Sequence, residues 1–314
     1  MPALTTHHLF GEESVERLPQ GIVASGNERT AFILGNQGPD PFFFRVRTPN
    51  MRTCMKLAQV MHRSRMTRQM EALREGVQRL PQEDAGVGRA FALGLLSHYV
   101  LDRNAHPFVY AQQWGIQETD PSLKDSGSQV HAVIESDLDV LMLQLKRYGA
   151  TTAECPPADE LATNERVDRV AGALFSNIAT TVYGLDVGIS EYGGAVADMK
   201  LVYTLIEPAG SMRARTFEGI ERAFVSDYSM LRSLAHRVTT EVPAGTGNLR
   251  HLRWKDPFTE QESSESFPEV FDRALDDYEQ AAALFIDGDM PALTGHVNYS
   301  GRVLTPDEEF DREE

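Results

Sequence analysis

The stretch Gly94-Leu-Leu-Ser-His98-Tyr-Val-Leu-Asp102-Arg-Asn-Ala-His106-Pro107 sets His98, Asp102 and His106 at successive four-residue steps. Residues four apart on an α-helix lie on one face, one turn above each other. One helix would therefore present His, Asp and His along a single stripe. His131-Ala-Val-Ile-Glu135 repeats the step on a second segment. Imidazole with carboxylate is a ligand set that suits Zn²⁺.

The run from Val87 to Asp102 is apolar almost all round, the mark of a buried helix. A buried carboxylate needs a partner, because an isolated one is expensive. The competing reading is a His–Asp pair satisfied inside an ordinary core. His106 one turn on, and His131 with Glu135 elsewhere, weigh against it. Other metal and nucleotide signatures are missing: no Glu-x-x-His, no His-Glu-x-x-His, no His-Asp dipeptide and no Gly-Lys pair occur. Gly86-Val-Gly88 lacks the third glycine of a dinucleotide loop, and no Gly-x-Ser-x-Gly elbow is found.

Helical periodicity extends outward from these segments. Residues 50–78, 86–106, 128–148, 165–183, 195–206, 211–242 and 267–287 read as helices. Pro81 stops the first, Pro107 the second and Gly149 the third, which Ser128 caps. Convincing strand alternation is absent, so the fold class is all-α. Residues 150–163 are the best candidate boundary. A single multi-helix domain over residues 1–306 is nevertheless favoured, because ligand helices need other helices to cover their apolar sides. An acidic tail, 307–314, is expected to fray.

The formal net charge of −16 disfavours a stable nucleic-acid partner and unaided adhesion to an anionic membrane. It does not exclude a small anionic substrate, since bound metal dominates the local field. Cys54 and Cys155 form no CxxC, which fits structural thiols in a reducing compartment. The N-terminus has no basic and apolar leader, and no apolar run reaches membrane-span length, so the expected location is the cytoplasm.

Several residues carry two readings. Phe42, Phe43 and Phe44 either wall a pocket or fill the core. Phe108, Tyr110 and Trp114 either form a pocket mouth or pack. The Met-rich segment 51–70 reads as core filling. His236, His251 and His296 read as surface residues or as residues behind the ligands.

Taken together, Thr6-His7-His8-Leu9-Phe10-Gly11, Leu34-Gly35-Asn36-Gln37-Gly38-Pro39-Asp40, Met61-His62-Arg63, the 94–107 stretch and His131-x-x-x-Glu135 resemble the bacterial zinc-dependent phospholipase C family. That family is related in fold to the S1/P1-type nucleases. Asn248-Leu249 to Trp254-Lys-Asp-Pro257 and the segment from Ser266-Phe267 onward resemble it as well.

The resemblance implies an all-helical fold around a trinuclear zinc cluster. Asp40, His62, His98 and Asp102 match the ligands of one zinc, and His106, His131 and Glu135 those of a second. His7, with Asp102 as a bridging carboxylate, matches the third; His8 is the adjacent alternative. The mature N-terminal amine of the secreted members, itself a ligand of the third ion, has no counterpart processed from a leader here, so two zinc ions are the firmer expectation. The implied activity is phosphodiester hydrolysis by a metal-bridged hydroxide, with Asp40 as the base and a small phosphodiester or phospholipid as substrate. A nuclease or nucleotidase on the same cluster, and a non-catalytic zinc-binding helical protein, are the alternatives.

Overall fold

The computed structural model describes residues 4–208 and 233–310. The chain is all-α, with one two-residue strand pair among the described residues. In chain order the helices are α1 (Leu4–Arg17), α2 (Gly26–Gly35), α3 (Met51–Arg63), α4 (Met66–Arg79), α5 (Ala85–Thr119), α6 (Gly127–Lys146), α7 (Glu165–Tyr183) and α8 (Ser190–Ile206). The strands β1 (Trp254–Lys255) and β2 (Glu262–Ser263) follow, then α9 (Phe267–Asp287), α10 (Met290–Thr294) and α11 (Pro306–Glu309). Among the described residues no helix is long and apolar enough to cross a membrane.

The chain divides into two compact units. Among the described residues, unit one contains 4–9, 105–161, 200–208 and 233–270; unit two contains 10–104, 162–199 and 271–310.

In unit two, α4 packs on α7, and α2 also meets α7. The α7 sequence explains this: Val167, Val170, Ala171, Leu174, Phe175, Ile178 and Val182 fall at helical spacing and are buried. Each of these side chains larger than alanine contributes about 1.5–3 kcal/mol on burial. Asn164 caps the start by accepting from the Arg166 and Val167 amides, and Gly184, in the left-handed region, ends the helix. The opposing face of α4 supplies Met66, Met70, Leu73 and Gly76. The start of α4 has no good local cap, since Arg65 stands there with φ 59°. Glu309 of α11 supplies it instead: its carboxylate accepts both the Met66 and Thr67 amides at 2.8 Å. The start of the acidic tail is therefore a docked helix and not a frayed end.

In unit one, α6 is the central described helix, and it buries most of its length from Val130 to Gln144. The ring of Phe108, on α5, meets Trp254 and Phe267 at 5.3 and 5.6 Å. Gln112 donates to the Thr246 carbonyl at 2.8 Å, and the Gln144 amide to the Thr239 carbonyl at 2.7 Å.

Four expectations need correction. The helix over 50–78 is two helices, broken at Ser64 and Arg65 by the left-handed backbone of Arg65. Helix α5 does not end at Pro107 but continues to Thr119. A proline inside a helix removes one hydrogen bond and costs about 3 kcal/mol; the burial of Phe108 and Val109 immediately beyond offsets that. Ser126, not Ser128, occupies the N-cap of α6, and it makes no side-chain capping bond. Of the helix expected over 211–242, residues 211–232 lie outside the described residues, Ser233 and Leu234 are helical, and 235–242 are not.

Candidate metal centre

Unit two assembles Asp40, His62, His98 and Asp102 from three places. His98 and Asp102 sit four residues apart on α5, where the spacing put them on one face. His62 comes from the last turn of α3. Asp40 opens the 3₁₀ turn Asp40–Phe44. One ligand atom each of His62, His98 and Asp102 lies within 4.8 Å of the others. His62 Nε2 stands 3.1 Å from Asp40 Oδ1 and 3.8 Å from Asp102 Oδ2, and His98 Nε2 is 3.5 Å from Asp102 Oδ2.

The local sequence holds these groups in place. Gly35 on α2 and Gly94 on α5 press backbone to backbone, and a β-carbon on either would strike the other helix's main chain. That close crossing brings the segment after α2 beside His98. Gly38 has φ +58°, and a β-carbon there would collide with the His98 imidazole. The chain leaving the 3₁₀ turn is anchored to α8. Arg45 bonds Glu191 and Asp198 at 2.8 Å each, and the Val46 and Arg47 amides donate to Asp198 at 3.1 Å. Phe42 fills the core against Phe175 and Tyr192, and Phe44 is buried as well. Phe43 instead lies with its ring 5.7 Å from His62, so one phenylalanine of the three borders the centre.

In unit one, α5 and α6 build a second set. One ligand atom each of His106, His131 and Glu135 lies within 4.8 Å of the others. His131 Nε2 is 3.1 Å and His106 Nε2 3.5 Å from Glu135 Oε1. His7, on α1, is buried, whereas its neighbour His8 is partly exposed.

The far side of each imidazole defines its chemistry. His62 Nδ1 lies 2.7 Å from the Ala58 carbonyl, and His98 Nδ1 3.1 Å from the Asn36 carbonyl. A carbonyl only accepts, so each Nδ1 carries the hydrogen and donates it. His131 Nδ1 similarly meets Gln113 Oε1 at 2.9 Å, while the Gln113 amide nitrogen donates to Gln117. In the neutral form of each ring the lone pair is thereby left on Nε2, facing carboxylate oxygens. Lone pair against carboxylate is repulsive unless a cation lies between them. Outward Nδ1–H bonds of this type also fix the tautomer of metal-bound histidines. The donor sets thus fit zinc.

Both sets hold their carboxylates ionised. Burial pushes the Asp40 carboxyl up, but hydrogen bonding and charge from His62, with His98 beside it, more than offset that and hold it below the usual range. Glu135 is driven up by burial and down further by His131 and His106, ending well below an ordinary glutamate. Burial pulls His131 below its ordinary value despite Glu135, which favours the neutral, ligating form.

Tyr299, Asn36, Gln113 and Phe258 carry no local sequence signal. Tyr299 packs its fully buried ring 4.7 Å from His62 and 5.7 Å from His98. Burial, reinforced by Asp102, pushes its phenol well above the ordinary value, so it stays neutral. Asn36 orients His98 through a main-chain carbonyl, which any residue would supply. Gln113 orients His131 from two turns beyond His106, a position hidden once the helix is taken to stop at Pro107. Trp114 and Phe258 adjoin Tyr110, whose ring lies 5.1 Å from His131; together they form an aromatic shelf with Trp114 44% exposed.

Of the remaining histidines, His251 is exposed and His296 pairs with Glu309 at 3.3 Å, while His236 is deeply buried. No curated protein and no solved structure matches the chain significantly. The description Zinc dependent phospholipase C matches residues 6–183, more than half of the sequence and all eight residues of the expected ligand set. On that match, and on the two imidazole–carboxylate sets within it, the chain belongs to the zinc dependent phospholipase C family.

Proposed function

We propose that the protein hydrolyses phosphodiesters of the phospholipase C type, with Asp40, His62, His98 and Asp102 holding one zinc ion and His106, His131 and Glu135 a second. The observation that carries the reading is the outward commitment of Nδ1 in His62, His98 and His131, which leaves Nε2 and carboxylate oxygens converging within each set. His7 is the proposed ligand of a further ion. Both cysteines are free thiols, which suits a reducing compartment, and the cytoplasm is the proposed location.

Zinc held at these residues supplies a Lewis acid that polarises a phosphoryl oxygen and brings a bound water towards neutral pKa. Asp40 is ionised at neutral pH and buried, so its carboxylate accepts a hydrogen bond from the attacking water and orients it. As the oxygen–phosphorus bond forms, that proton moves to Asp40 and the ester bond to the leaving oxygen breaks; the leaving oxygen takes a proton from solvent and departs as the alcohol. Phe43 and Tyr299 exclude bulk water around His62. A diester bearing a flat base is the second reading, favoured by the shelf of Tyr110, Trp114 and Phe258, on which a base can stack.

The test is a side-by-side assay of p-nitrophenyl phosphorylcholine, bis-nitrophenyl phosphate and single-stranded DNA, in wild type and Asp40→Asn. The substitution keeps shape and one oxygen but removes charge and basicity. Turnover on the best diester should fall about 100-fold or more, the scale of a lost general base, with most zinc retained. Full activity in Asp40→Asn would remove Asp40 from the mechanism. Zinc-loaded wild type with no activity on any phosphoester would favour a structural or storage role.

A further inference from the structure

Beyond Glu135, α6 continues its four-residue step to Asp139, which is fully buried. Its carboxylate receives three donors. Thr6 N–H donates to Oδ1 at 2.7 Å, and Thr5 N–H to Oδ2 at 3.0 Å. His236 Nε2 meets Oδ2 at 2.9 Å. On the other side of the same ring, His236 Nδ1 lies 2.7 Å from Glu207 Oε1, which also accepts the His236 main-chain amide at 2.8 Å. His236 is 1% exposed.

A ring with carboxylates at both nitrogens has only acceptors as partners, so both nitrogens carry hydrogen and the ring is a cation. Two anions, one cation and the positive end of α1 meet in a dry space, where each group depends on the others. Apolar residues of equal volume would stabilise the fold as well. What the ionic arrangement adds is direction: Asp139 grips the amides of Thr5 and Thr6, the two residues immediately before His7.

We propose that His236 is a positioning residue for the metal centre, acting through Asp139 to fix the first turn of α1 and hence the orientation of His7. The inference rests on His7 being a zinc ligand, as proposed above. His236 itself touches neither metal ligand nor substrate. Burial alone would discharge the ring, but the hydrogen bonds it donates to Asp139 and Glu207 push its pKa up to about 10, so the cation persists at neutral pH.

The experiment measures zinc stoichiometry and affinity by chelator competition in wild type, His7→Ala, His236→Gln and the double variant. Removal of groups that orient ligands costs about 10- to 100-fold in metal affinity. His236→Gln should lower, by that factor, the affinity of only those zinc equivalents that His7→Ala abolishes. In the His7→Ala background it should change nothing further. Loss of zinc in His7→Ala with unchanged affinity in His236→Gln would overturn the positioning role while leaving His7 a ligand. Full zinc in His7→Ala would overturn the ligand reading itself. A uniform loss across all zinc equivalents in His236→Gln would mean a merely structural role. Amide exchange in zinc-free wild type gives a check that needs no variant: Thr5 and Thr6 should exchange slowly, and rapid exchange at both would mean the clamp does not exist.

Discussion

The buried imidazolium of His236 makes the stability of the protein fall on the alkaline side in a calculable way. Its folded pKa is about 10, raised by its two carboxylate partners against the opposing effect of burial. An unfolded histidine titrates near 6.5. Because the folded state holds the proton more tightly, the stabilisation is complete below pH 6.5 and is lost as pH rises through the folded value. Linkage gives about 4 kcal/mol from this group at pH 7, and most of it is lost by pH 9. The neutral pH figure agrees with the 3–5 kcal/mol typical of breaking a buried pair. Urea unfolding of zinc-free wild type and His236→Gln at both pH values measures it. The variant should be less stable at pH 7 by about 3–5 kcal/mol. The gap between the two proteins should narrow by about 2–3 kcal/mol at pH 9. In wild type, the NMR shift of this imidazole should stay flat until about pH 9. An imidazole titrating near 6.5, or an equal pH 7-to-9 loss in both proteins, would refute the reasoning.

Chelation should lower the melting temperature by more than a few degrees, because within each set carboxylate oxygens then face imidazole Nε2 atoms without a cation, and metal binding is linked to folding; an unchanged melt after verified zinc removal would count against the proposed centre. Gly38→Ala should cost about 1–3 kcal/mol in unfolding free energy through its left-handed backbone, and should weaken the His98-containing zinc set because the new methyl strikes that imidazole; wild-type stability and zinc affinity would show the collision to be harmless. Gln113→Leu removes the acceptor that holds the His131 tautomer and should reduce zinc affinity about 10- to 100-fold, measured by chelator competition; unchanged affinity would show that His131 is oriented by other means.

The sequence by itself determined what local rules govern. Four-residue spacing placed His98 with Asp102, and His131 with Glu135, on shared helix faces, because helix geometry is the same wherever a helix forms. The absence of strand alternation gave the all-α class for the same reason. It also identified Asp40 and His62 as partners, through resemblance and not through spacing, since they lie on separate elements. Three matters were decided only by tertiary structure. Pro107 stays inside α5, because burial of the residues beyond it outweighs one lost hydrogen bond. Glu309 caps α4 from more than two hundred residues away, where no local cap exists. The stripe His98, Asp102, His106 is shared between two donor sets, because a different element meets each end of it: α3 brings His62 to Asp102, and α6 brings Glu135 to His106. Spacing fixes a side chain's direction along its own helix. What meets it there depends on packing between residues remote in the chain, and no local pattern encodes that.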